Sequence, residues 1–288
     1  MKQIVVFLLS FVFLSLFQGV CVKVSSAADR IKVSVSVLPQ AYFVERVGGD
    51  RVEVQVMIPP GATPATYEPT PRQMVRLSEA RLYIKVGVVT FPFEKKHFSS
   101  FIKRNREMVV VSMSDGVKYR SFLFKKGTQD PHVWVAPSTV KVAAYNIYRA
   151  LTQIDPTGKD YYKENLDLFL ADIESLDHEI ERILSTRRGS AFMVFHPAWG
   201  YFADQYGLMQ LPIELGGKSP SASHVKKMID SAREKHIKVI FIQKGFDTKS
   251  AKAVADEIGG GVIEIDPLEK DWIKNMKKIA GVFNQVLE

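Results

Sequence analysis

The sequence predicts an α/β protein of two lobes, each a four-stranded parallel sheet with flanking helices. One long rigid helix joins the lobes, and the ligand cleft lies between them. Three observations carry this reading. Short β-branched runs alternate with helical patterns in both halves of the chain. A long helical pattern without a breaker separates the halves. The chain has 288 residues, too many for one small core and ample for two. The expected segments are a leader over 1–28, an N-terminal lobe over 29–156, a connecting helix over 157–187 and a C-terminal lobe over 188–288.

In the first half, Ile31–Val37 alternates and reads as a strand, and Gln40–Val47 as a helix stopped by Gly48-Gly49. Val52–Ile58 is a second strand, ended by Pro59-Pro60-Gly61. Thr70-Pro71-Arg72-Gln73 combines a threonine cap, proline at the first helical position and glutamine three residues after the cap, so a helix starts there. Arg81–Val88 is a strand, Phe93–Arg104 a helix and Met108–Met113 a strand. A helix near Thr139–Gln153 precedes the long pattern from Asp160 to about Thr186. Its Tyr162, Leu166, Leu168, Leu170, Ile173, Leu176, Ile180 and Ile183 fall mostly at three- and four-residue spacings. As one helix it would span roughly 40 Å and run along both lobes.

The rhythm then returns. Ala191–Phe195, Gln210–Glu214, Lys238–Ile242 and Val262–Ile265 read as strands, with helices near Ala198–Tyr206, Ser221–Glu234, Ser250–Ile258 and Asp271–Leu287. Strands separated by helices make parallel sheets with right-handed crossovers.

Met1-Lys2, the apolar run Ile4–Phe17 and the small residues Ser25-Ser26-Ala27-Ala28 have the order of a cleaved secretory leader. The apolar run is short for a bilayer span, which needs about 20 residues. Export to the periplasm, or otherwise outside the cytoplasm, is therefore expected. The single cysteine, Cys21, lies inside this leader, and Gln18-Gly19-Val20 before it fits lipid attachment poorly. Cleavage after Ala28 leaves no cysteine, hence no disulfide and no thiolate metal site. The net charge of +8 comes from scattered lysines and arginines with no aromatic-interleaved stripe, which argues against a nucleic-acid partner.

Ligands of open parallel sheets bind beyond the carboxyl ends of the strands. Those ends carry His196, Gln243 and Asp266, and the first lobe adds His132 in Asp130-Pro131-His132-Val133-Trp134. Two neutral imidazoles and a carboxylate suit zinc, manganese or iron(II). Each also has a plainer reading: a histidine beside proline more often caps or fills a core, and Asp266 before Pro267-Leu268 fits a cap of the last helix. His97, His178, His224 and His236 read as solvated helix residues, and Trp199 and Tyr201 as packing or cleft lining.

The chain resembles the metal-binding receptors of ABC importers of the zinc and manganese type, over nearly all of its mature length. The resemblance rests on Pro60 to Pro71 (PGATPATYEPTP), Asp130 to Trp134, Phe195-His196-Pro197-Ala198-Trp199-Gly200-Tyr201-Phe202 and Ile265-Asp266-Pro267-Leu268, in this order and spacing. It implies one divalent metal ion, zinc or manganese, as the transported ligand, with His132, His196 and Asp266 holding it. It also implies a membrane permease of an ABC importer as partner. These three ligands leave a position to be completed by water or by Gln243, which is expected as an additional or supporting ligand. Three departures stand out. The family's first histidine, after the proline matching Pro64, is here Ala65. Lys244 places a cation beside Gln243, opposing a divalent metal. The His-rich acidic loop of many zinc-specific members is missing before Asp130. A receptor for a chelated metal or another small solute is the alternative. No Gly-x-Ser-x-Gly elbow, His-Glu-x-x-His pair or P-loop is present, so the chain is not expected to be an enzyme. A monomer is expected.

Overall fold

The computed structural model describes residues 30–122, 127–214, 220–243, 245 and 249–287. The leader with Cys21, and Lys244, lie outside the described residues. In the first half β1 (Ile31–Val35), β2 (Val52–Val56), β3 (Leu82–Lys85) and β4 (Val109–Ser112) form a parallel sheet in the order β2-β1-β3-β4. In the second, β5 (Ala191–Val194), β6 (Met209–Pro212), β7 (Val239–Ile242) and β8 (Gly261–Glu264) repeat that topology as β6-β5-β7-β8. Both sheets are parallel because each strand leaves through a helix that must cross back over a face.

The helices of the first lobe are α1 (Leu38–Gly48), α2 (Pro71–Ser78) and α3 (Pro92–Arg104). The capping pattern at α2 is realised as the sequence predicts: Thr70 Oγ1 accepts from Gln73 N, and Gln73 Oε1 accepts from Thr70 N at 2.9 Å. Two helices, α4 (Pro137–Ile154) and α5 (Lys159–Leu184), follow before the second sheet. The second lobe carries α6 (Gly200–Tyr206), α7 (Ala222–Glu234), α8 (Lys249–Glu257) and α9 (Trp272–Val286).

The 26 residues of α5 bury Tyr162, Leu166, Phe169, Ile173, Leu176, Ile180 and Leu184, a stripe at three- and four-residue steps. Leu168 falls off this stripe and is 59% exposed, and Phe169 takes the inward position. The stripe packs on α1 and α4 of the first lobe and on α9 of the second. Replacing Ile173 with alanine would cost about 2–5 kcal/mol through the cavity left behind. At its N-terminal end, Tyr162 OH donates to Asp155 Oδ2 at 2.6 Å and Arg51 Nη2 donates to the same oxygen at 2.8 Å.

One hydrophobic core runs from the first lobe through α5 into the facing side of the second sheet, reaching Phe192, Val194, Phe241 and Phe283. A second core fills the other side with Met193, Phe195, Ile240 and Ile242. Strand alternation thus sorts neighbouring residues of β5 into different cores. His97 departs from the solvated reading. It is half-buried, stacked on Phe101 with Phe93 tilted against it, and its Nε2 lies 3.2 Å from the Tyr67 carbonyl.

Candidate metal centre

His196 stands two residues beyond β5. Phe195 N donates to Phe241 O at 2.8 Å and Glu214 N donates to Phe195 O at 2.9 Å, extending the ladder past the strand. That extension sets Glu214 beside the ring, with Oε2 at 2.9 Å from His196 Nδ1. Across the cleft Asp130 is fully buried, and its Oδ1 accepts from His132 N at 3.0 Å while lying 2.7 Å from His132 Nδ1. Each imidazole therefore has a carboxylate behind Nδ1, which assigns the Nδ1 proton and turns the lone pair of Nε2 outward.

The two Nε2 atoms meet at 3.2 Å. Two lone pairs at that separation repel unless a proton or a cation lies between them. Ligand bonds of about 2.0–2.1 Å at a tetrahedral angle place two nitrogens about 3.3–3.4 Å apart. The pair is thus already at metal-binding separation. Burial holds the His196 pKa below its ordinary value, outweighing the Glu214 carboxylate, and the facing His132 pushes the same way. The neutral form that a metal requires is favoured. Burial alone would raise Asp130, but the His132 ring and N–H and the Arg120 guanidinium outweigh it and hold the carboxyl below its ordinary value.

Arg120 Nη1 donates to Asp130 Oδ2 at 2.9 Å, and its Nε donates to Asp204 Oδ2 of α6 at 2.8 Å, so one guanidinium joins the lobes under the site. The approach needs Gly200, where a Cβ would lie 1.7 Å from Arg120 Nη1 and 2.7 Å from Asp130 Oδ2. Tyr201 OH donates to the Asp130 carbonyl at 2.9 Å, and Trp199 is buried against Phe202 and Phe283. Both aromatics pack rather than line an opening.

Asp266 follows β8 and is half-buried. Its Oδ1 accepts from Leu268 N at 2.8 Å and its carbonyl from Asn275 Nδ2 at 2.7 Å. It does not cap the last helix: Asp271 does, accepting from Lys274 N. Gln243 follows β7, is 8% exposed, and its Oε1 has no hydrogen-bond partner among the described residues. Ala65 sits exposed in a turn closed by Thr66 N and Tyr67 N on the Thr63 carbonyl. Thr63 Oγ1 reaches across to the Gly245 carbonyl at 3.2 Å.

The structure thus brings His132 and His196 together directly. Among the described residues no three His, Asp or Glu side chains are grouped so as to hold one metal ion. The sequence reading missed Glu214 and Arg120. Glu214 ends a predicted strand, so the carboxyl-end rule that found His196 also reaches it. Arg120 carries no local signal. No described helix is long and apolar enough to cross a membrane.

Two lobes on one long helix, with histidines facing each other from opposite lobes, define a metal-binding solute receptor. The family model described as "Zinc-uptake complex component A periplasmic" matches residues 33–286, and the chain belongs to that family. The high-affinity zinc uptake system protein ZnuA of Bacillus subtilis (strain 168) is 25% identical, covering 85% of this chain and 80% of that protein. The manganese ABC transporter substrate-binding lipoprotein PsaA of Streptococcus pneumoniae is also 25% identical, covering 81% of this chain and 78% of that protein. A crystal structure of ZnuA superposes with a TM-score of 0.86 at 40% identity, covering 90% of this chain and 99% of that one. The chain is a substrate-binding receptor of an ABC importer, which works with a membrane permease, and not an enzyme.

Proposed function

We propose that this receptor captures zinc or manganese between His132 and His196, with Asp266 as the acidic ligand, and delivers it to its permease. The carrying observation is the 3.2 Å separation of the two Nε2 atoms, each imidazole held by a buried carboxylate. It acts as a monomer outside the cytoplasm, with the leader removed near Ala28 and no nucleic-acid partner. The zinc and manganese transport proteins to which the chain is similar support the bare ion over a chelated metal or another solute.

Element analysis of protein purified without tag or chelator tests this. About one zinc or manganese per chain is expected in the natural protein and little in His132→Ala, because losing one of so few ligands breaks the shell. Metal retained in both His132→Ala and His196→Ala would overturn the assignment.

A further inference from the structure

The Gln243 side-chain oxygen has no hydrogen-bonding task among the described residues. At 8% exposure, with its Oε1 unpartnered among the described residues, it is a buried acceptor kept without a protein donor. Such an atom costs stability unless a ligand or an ordered water uses it.

Register says where it stands. β5 and β7 pair Val194 with Phe241, and Phe195 N donates to Phe241 O, so the chain segments that carry His196 and Gln243 leave the sheet at the same end of neighbouring strands. β7 and β8 pair Ile242 with Glu264, which sets Gln243 beside Ile265, the residue before Asp266. Sheet alternation gives the side. Val194, Phe241 and Ile265 belong to the core shared with the first lobe, whereas Phe195 and Ile242 belong to the core on the opposite side. Gln243, the residue after Ile242, continues the alternation onto the side of Phe241, and His196 meets His132 of the other lobe directly at 3.2 Å.

We infer that Gln243 is a specificity-determining residue of the metal site, presenting a neutral amide oxygen to the ion or to its bound water. This rests on the metal reading proposed above. Its chemistry differs from that of the imidazoles. Zinc binds well through nitrogen alone, while manganese relies on carboxylate, carbonyl and water oxygens. A carboxylate in the same place would add a further negative charge to those of Asp130, Glu214 and Asp266, whereas the amide supplies oxygen without charge. The residue thus keeps manganese competitive at a site whose paired histidines favour zinc.

The test measures zinc and manganese affinities by competition against a fluorescent chelator for the natural protein, Gln243→Leu, Gln243→Glu and His132→Ala. Gln243→Leu keeps the volume and removes the oxygen. Manganese should weaken about 10-fold or more and zinc by less than about threefold, so that the zinc preference rises. The metal-stripped Gln243→Leu protein should melt no lower than the natural one, since no internal hydrogen bond is lost. A lower melting point would mean that the oxygen has a protein partner, and an unchanged zinc-to-manganese ratio would mean that it faces no ion; either overturns the inference. If Gln243→Leu does not fold, Gln243→Glu decides. It should move the preference toward manganese by at least about threefold, and an unchanged ratio again overturns the inference. His132→Ala separates the two levels. If it leaves both metals bound, the site reading itself is wrong. If it abolishes binding while the Gln243 variants keep the natural ratio, only the role of Gln243 is lost.

Discussion

The indole Nε1 of Trp134 donates to the carbonyl of Pro267 at 2.7 Å. Trp134 lies two residues after His132, and Pro267 one residue after Asp266. Trp272 Nε1 in turn donates to the Trp134 carbonyl at 2.7 Å. All three residues are buried, so the loops that carry candidate ligands from the two lobes are tied where water cannot compete.

Trp134→Phe removes this donor and leaves the buried Pro267 carbonyl unpaired. A loss of about 1–3 kcal/mol in urea unfolding is expected. Metal affinity should fall with it, because the first-lobe ligand loop loses its fixed distance to Asp266. Affinity equal to the natural protein's would show that the tie is purely structural.

The Asp130 carboxylate orients His132 and is itself held by Arg120. Asp130→Asn should therefore lower zinc affinity about 10- to 100-fold while the fold persists, the usual effect of losing a carboxylate behind a liganding histidine. Gly200→Ala should act in the same direction by forcing Arg120 away. Titration calorimetry on the two variants checks both; natural affinity in Gly200→Ala would mean that the guanidinium moves aside without consequence.

Ala65→His places an imidazole where the resemblance expects one. Zinc affinity should tighten by at least about 10-fold at a pH about one unit above the histidine range near 6.5. The gain should fade about one unit below that range, because protonated imidazoles do not bind metal. No gain at the higher pH would mean that this turn does not reach the His132–His196 pair.

Asp155 predicts the acid limb of stability. Although burial opposes ionisation, hydrogen bonds from Thr157, Tyr162 and Arg51 hold its carboxyl down at about 2, against an ordinary 3.8. A depressed carboxyl contributes stability that is complete above its unfolded value and is lost as pH falls through its folded one. Discounting for screening, roughly 1–2 kcal/mol should disappear between about pH 4 and pH 2. Thermal melts of Asp155→Asn should show a flatter decline across that window. A parallel decline would remove Asp155 from the account.

Much of this fold is written in local pattern. The capping box at Thr70 and the stripe of α5 each depend on residues within one or two turns, so the sequence alone reveals them. The site is less legible because its supports come from afar. Glu214 reaches His196 from 18 residues away, and Arg120 meets Asp204 across 84. His97 shows the opposite failure. Phe93 and Phe101 sit four residues on either side of it, a spacing that puts it on a buried face of α3 although Glu94, Lys95 and Lys96 beside it are charged. Asp266 does not cap α9, which Asp271 does, and its carboxylate instead accepts from Leu268 N within its own turn.

The buried stripe of α5 has a consequence for thermodynamics as well as geometry. It packs on helices of both lobes and belongs to a hydrophobic core continuous between them. Opening either lobe would strip apolar cover from the same helix and from the other lobe's inner face. The lobes therefore stand or fall together, and calorimetry should record one melting transition in place of two. A receptor built in this way cannot trade the partial unfolding of one lobe for the release of its cargo.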